Sequence, residues 1–158
     1  CKKIALFSSI DNLSVGKLRT EGYLKALQNN NIAINTDLIL RTDSEDALKA
    51  KAEILFDNHT IDGIFALDED DSVVALRISL KRGYNIPENL SIIGFADGIL
   101  ASRRLSPSLT TVSQHGPEIG AAAAELLIER LESKENEYPY KTTVIKTELR
   151  LRESTRTL

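Results

Sequence analysis

The feature that most constrains this chain is an alternation. Short, near-continuous apolar runs take turns with longer stretches whose apolar residues recur at helical spacing. Ile4-Ala5-Leu6-Phe7 has no polar position, as a strand buried on both faces requires. After the polar segment 8–14, Val15, Leu18, Gly22, Tyr23, Ala26 and Leu27 predict an amphipathic helix over 15–29, ended by Asn29-Asn30-Asn31. Residues 37–40 read as a second strand. Asp43 or Ser44 then opens a helix that runs to about Phe56, with Leu48, Ala52 and Leu55 inward. A third strand over 61–66 precedes a helix over 70–81 with Val73, Leu76 and Leu80 on one face. Gly83 is its left-handed stop, and Pro87 bars continuation. Residues 90–95 form a fourth buried strand and 109–112 a short extended segment. Pro117 suits the first turn of a helix whose stripe is Ile119, Ala122, Ala123, Leu126, Leu127 and Leu131. Residues 142–152 read as extended and 153–158 as a tail.

Strand and helix in this order imply right-handed crossovers and an α/β fold: a mostly parallel sheet flanked by helices on both faces. In such sheets ligands sit beyond the carboxyl ends of the strands. That rule nominates the loops 8–14, 41–44, 67–71 and 96–102.

The length of 158 residues suits one domain. The net charge is −3, with Lys and Arg scattered among Asp and Glu. A domain that grips a phosphate backbone shows a basic face, so this chain is not expected to bind nucleic acid by itself. Its apolar runs are too short or too Ala-rich to span a bilayer, and no signal peptide is evident. The single cysteine, Cys1, excludes an intrachain disulfide, which suits a reducing, cytoplasmic address.

Within the nominated loops, Asp68-Glu69-Asp70-Asp71 follows a strand and opens a helix. Acids there suit the helix dipole, which is reading enough for Glu69, Asp70 and Asp71; Asp68 can cap free amides or accept from ligand hydroxyls. Receiver domains gather metal-binding carboxylates after their first strand, where this chain has Ser8-Ser9. Asp97 either caps a turn or meets a ligand. Arg19 opposes the dipole of its own helix, so it either has a pairing duty elsewhere or salt-bridges a surface acid. His59 and His115 lack partners at metal-ligand spacing. Neither a nucleophile elbow nor a phosphate-cradling glycine loop is present. The expectation is a binding protein without catalysis, cofactor or metal.

Two stretches carry a shared pattern. One is Asp62-Gly63-Ile64-Phe65-Ala66 with its acidic helix opening, followed by the run from Arg82-Gly83-Tyr84 to Ile93-Gly94-Phe95. The other runs from Pro107-Ser108-Leu109-Thr110-Thr111-Val112-Ser113-Gln114 through Gly120 and the Ala-rich helix to Arg152-Glu153-Ser154-Thr155. Together they resemble the LacI/GalR repressors, and the resemblance covers nearly the whole chain. It implies the second lobe of a periplasmic-binding-protein-like sensor, with the helix-turn-helix headpiece and most of the first lobe outside this chain. The helix within 115–133 would belong to that other lobe, so its stripe would pack on another chain, fold back or swap.

By the same resemblance, Arg19 is the effector-contacting arginine, Asp68 takes the place of a ligand-binding asparagine, and Gln114 falls near the hinge and pocket. Thr42 replaces a stacking aromatic. Ala96 replaces a sugar-binding aspartate, with Asp97 next to it. Both replacements argue against a standard monosaccharide contact set. Dimer contacts would fall on Val73, Arg77, Ile99 and Arg104. The implied partners are a small sugar-like effector, DNA through the headpiece, and a second copy. Two rivals stand beside this reading: the solute-binding protein of a sugar transporter, and a hydrolase built on the 68–71 carboxylates.

Overall fold

The computed structural model describes residues 1–95, 105–133 and 139–156. Its elements are β1 (Ile4–Ser8), α1 (Ser14–Asn29), β2 (Ile39–Arg41), α2 (Glu45–Asn58), β3 (Gly63–Ala66), α3 (Glu69–Lys81), β4 (Ser91–Gly94), β5 (Thr110–Ser113), α4 (Gly116–Glu132) and β6 (Glu148–Arg150). The strands form one sheet in the order β2-β1-β3-β4-β5-β6. All neighbouring pairs from β2 to β5 are parallel, and β6 closes antiparallel on β5. The expected α/β fold with a mostly parallel sheet is what the chain adopts.

Alternation along each strand sorts the core into two layers. Ala5 and Phe7 of β1, Ile64 and Ala66 of β3 and Ile92 of β4 pack with Leu48, Ala52 and Leu55 of α2 and with Val74, Leu76 and Ile78 of α3. Leu6 faces the other way and packs with Tyr23 and Leu27 of α1, flanked by Ile4, Ile39 and Phe65. β2 lies on one side of β1 while β3 and β4 lie on the other. Right-handed crossovers therefore put α1 on one face of the sheet and α2 with α3 on the opposite face.

Several local expectations are corrected. Residues 37–40 are not a continuous strand: Thr36–Leu38 is a 3-10 turn, because the Asn35 side chain accepts from Asp37 N at 3.0 Å, and only Ile39–Arg41 pairs. The inward face of α1 is Gly16, Thr20, Tyr23 and Leu27, while Val15, Leu18, Gly22 and Ala26 face outward. The inward position 16 requires glycine, because a Cβ there would meet the Ile10 carbonyl oxygen at 2.2 Å. On α3 the buried positions include Val74, Ala75, Leu76 and Ile78, and Leu80 is exposed. Gly83 is left-handed as expected, with φ +78°.

Of residues 142–152, only Glu148–Arg150 joins the sheet. The described part of the supposed tail, 153–156, is built in. Ser154 is buried; its carbonyl accepts from Ile92 N at 2.8 Å, and its hydroxyl donates to Ile92 O at 2.7 Å and accepts from Thr110 N at 2.8 Å. It thereby stitches the carboxyl-terminal segment between β4 and β5. α4 has no buried residue.

Candidate ligand-binding site

Because β1 to β5 run parallel, their carboxyl ends Ser8, Arg41, Ala66, Gly94 and Ser113 share one edge of the sheet. On that edge the polar side chains form a continuous chain of contacts. Thr42 N and Oγ1 both donate to Ser8 O, at 2.8 and 2.9 Å, which ties the loop after β2 to the end of β1. The next residue, Ser9, donates its N–H to both carboxylate oxygens of Asp71, at 3.0 and 3.2 Å. Asp71 N donates in turn to Asp68 Oδ1 at 2.8 Å, which makes Asp68 the N-cap of α3.

Arg19 spans the far side. Its Nη1 donates to Leu67 O at 2.5 Å and its Nη2 to Gln114 Oε1 at 2.8 Å. The guanidinium carbon lies 3.7 Å from the centroid of the Phe95 ring, in cation–π contact. One side chain thus fastens α1 to the ends of β3, β4 and β5. Its duty is the pairing alternative, not a surface salt bridge. Burial lowers its pKa from the ordinary guanidinium value, and the charge of Asp68 opposes that shift.

Asp71 is fully buried. Burial pushes its pKa up to about 6 and the neighbouring Asp68 charge adds to the rise, while the hydrogen bonds from Ser9 work the other way. The expectation that it is merely a dipole-facing acid is corrected: it anchors the β1 loop from inside. The buried hydroxyls of Ser8 and Ser113, at the ends of β1 and β5, find no hydrogen-bond partner among the described residues.

The structure therefore brings together Arg19, Asp68 and Gln114, and joins Thr42 to them through Ser8, Ser9 and Asp71. Thr42 is occupied with backbone carbonyls. Ala96, Asp97, Ile99 and Arg104 lie outside the described residues. Val73 is half-buried and Arg77 exposed on α3. Sequence reasoning missed Asp71, Ser9 and Phe95. For Asp71 a usable signal existed, since position i+3 from an N-cap is where a carboxylate turns back toward the preceding loop.

Strand order, common edge and polar rim define a lobe of the periplasmic-binding-protein type. The family described as periplasmic binding protein-like domain matches residues 1–155. The HTH-type transcriptional repressor PurR of Histophilus somni is 32% identical over 159 residues, which is 99% of this chain and 47% of that repressor. The ribose operon repressor of Halalkalibacterium halodurans is 33% identical over 160 residues, 99% of this chain and 46% of that protein. The solved complex of the transcriptional regulator CelR with cellobiose superposes with a TM-score of 0.82 at 27% identity, covering 97% of this chain and 46% of that one. The chain belongs to the periplasmic binding protein-like domain family, in its LacI/GalR regulator branch. It spans about half the length of the relatives it matches. Those relatives are repressors, so neither the transporter nor the hydrolase reading is favoured.

Proposed function

We propose that this chain is the ligand-sensing lobe of a LacI-type transcriptional regulator. It holds a small, sugar-like metabolite at the carboxyl-end rim without transforming it, and the DNA-binding part lies outside the chain. The observation that carries this reading is the Arg19–Gln114 hydrogen bond, which joins the rim to the residue where the chain leaves the sheet toward α4. A ligand that engages Arg19 and Asp68 bears on the exit strand as well as on the loops. Binding that favours one arrangement of that exit shifts a conformational equilibrium, and operator affinity follows by linkage. The names of the relatives support a sugar-like ligand: one is a ribose operon repressor and another was solved with cellobiose.

In this reading Arg19 and Asp68 touch the ligand together with Asp97, and Gln114 relays its presence. Thr42 and Ala96 leave room where an aromatic ring and a carboxylate would otherwise stand. Val73, Arg77, Ile99 and Arg104 meet a second copy of the regulator in the cytoplasm. No reaction and no cofactor is involved. Among the described residues, no helix is long and apolar enough to cross a membrane.

The test is a titration of the ¹⁵N-labelled chain with D-ribose, D-glucose and cellobiose at millimolar concentration, followed by amide shifts. One of them is expected to shift Ser9, Arg19, Asp68 and Gln114 together. Arg19→Ala or Asp68→Ala should weaken that binding at least about tenfold, a loss of about 1.4 kcal/mol. Shifts scattered away from the rim, binding indifferent to both substitutions, or conversion of the sugar would overturn the proposal.

A further inference from the structure

The peptide that links Ser8 to Ser9, where β1 gives way to the rim, is held at both edges. Its carbonyl, Ser8 O, accepts from Thr42 N at 2.8 Å and from Thr42 Oγ1 at 2.9 Å. Its N–H, on Ser9, donates to Asp71 Oδ1 at 3.0 Å and Oδ2 at 3.2 Å. A peptide unit is planar, so fixing both edges directs the chain that follows. Thr42 and Asp71 thereby aim the loop over residues 9–13. Farther along that loop, Leu13 N donates to Ile10 O at 3.0 Å, and Asp11 Oδ1 pairs with Arg41 Nε at 3.4 Å. The grip of Asp71 comes from a fully buried carboxylate.

Burying an ionised carboxylate works against folding. A hydroxyl or a neutral amide could accept from the same N–H without a charge. Position 71 therefore carries a group that weakens the fold at neutral pH while it grips the rim, the pattern of a residue kept for function. Asp71 also reaches the ligand side. Its own N–H donates to Asp68 Oδ1 at 2.8 Å, which leaves Oδ2 of Asp68 for a ligand hydroxyl. The two carboxyl groups sense each other. The Asp68 charge raises the Asp71 pKa, and so does a hydrogen bond between the two side chains, one that only a protonated Asp71 can donate to a charged Asp68. The other charged groups around Asp71 are Glu69 and Asp70 beside it on α3, the Asp11–Arg41 pair on the adjoining loops, and Arg19 of α1, whose guanidinium feels the Asp68 charge.

We propose that Asp71 is a positioning residue of the rim and makes ligand binding there sensitive to protons. As a carboxylate it accepts from Ser9, holds the Ser8–Ser9 plane between itself and Thr42, and leaves Asp68 to accept from the ligand. On taking one proton from solvent it becomes a donor and turns to Asp68, occupying the oxygen that the ligand hydroxyl would use. The Ser9 N–H loses one of its two acceptor oxygens at the same time. Proton and ligand thus compete for Asp68. This inference rests on the reading of Asp68 as a ligand contact, but the clamp on Ser9 is open to test without any ligand.

In the ¹⁵N-labelled chain alone, the amide signals of Ser9 and Thr42 should move together between pH 4.5 and pH 7.5, with a midpoint of about 6. Asp71→Asn should abolish that movement while the variant stays folded by circular dichroism. For whichever of D-ribose, D-glucose and cellobiose binds, the dissociation constant should rise about tenfold from pH 7.5 to pH 5, because only about a tenth of the chain then keeps Asp71 ionised. In Asp71→Asn the affinity should stay level over that range. Thr42→Val, which keeps the backbone bond to Ser8 O and loses the hydroxyl, should weaken binding about threefold and retain the pH profile. A Ser9 amide that is level with pH, or that titrates alike in Asp71→Asn, overturns the inference. So does a sugar affinity whose pH dependence survives that substitution. Failure of all three sugars to bind, with the Ser9 titration intact, overturns the ligand reading and leaves the clamp standing.

Discussion

The face of the sheet under α2 and α3 and the face under α1 are built from the same strands, yet they differ in kind. The first is closed: Leu48, Ala52, Leu90, Ile92 and Leu109 are 0% exposed. On the second, Leu6 is sealed but Ile93 and Phe95 line an open cleft, and the polar contacts of Arg19 begin at its end. The contrast teaches that stability and binding are divided by strand parity. Every other side chain of a strand serves the sealed layer, and its neighbours serve the layer from which the rim and the cleft are made.

The largest effect that would test this division is a cavity on each side. Leu48→Ala should cost about 2–5 kcal/mol in urea denaturation, whereas Ile93→Ala, on a partly open position, should cost about 1 kcal/mol. Equal losses would break the comparison.

A smaller effect comes from Asp71, which sits where the faces meet the rim. Its folded pKa, about 6, lies above the ordinary value of 3.8, so the folded chain holds that proton more tightly than the unfolded chain. The stability this contributes is fully present below about pH 4 and is lost as pH rises through 6. Asp71→Asn should remove that dependence: relative to the variant, the unsubstituted chain should lose up to about 3 kcal/mol between pH 4 and pH 7.5. Parallel stability–pH curves for the two proteins would contradict the assignment.

The smallest effect belongs to Leu18, which helical periodicity turns inward and the structure turns outward, 67% exposed. Leu18→Ser should change stability by less than about 0.5 kcal/mol, and a loss of core size would restore the periodicity reading.

The order and type of the main elements could be read from the chain because apolar runs buried on both faces leave little choice of partner structure. The phase of α1 could not. Gly22, Ala26 and Val15 count as apolar in a periodicity reading, but small residues are equally at home lining an open groove, and burial is decided by which strands lie underneath. The carboxyl-terminal stitch was hidden for the opposite reason. Ser154 is polar and sits in a polar stretch, and its hydroxyl is satisfied by the Thr110 N–H and the Ile92 carbonyl, 44 and 62 residues away in sequence.

At the rim, the resemblance placed Arg19, Asp68 and Gln114 near one another, and the structure joins them. What no local pattern announced is how Arg19 spends its donors, because Leu67 O and Gln114 Oε1 arrive from distant elements. The burial of Asp71 likewise follows from how α3 meets the end of β1.

One feature of the connectivity has practical weight. β5 ends at Ser113, β6 begins at Glu148, and these two residues face each other in register. The chain that leaves the sheet at 114 and carries α4 therefore returns to a residue paired directly with the one it left. Trimming residues 114–147 to a two-residue reverse turn, with Asn-Gly as the natural choice, would leave the register of all six strands untouched and yield a minimal scaffold without its outrigger helix.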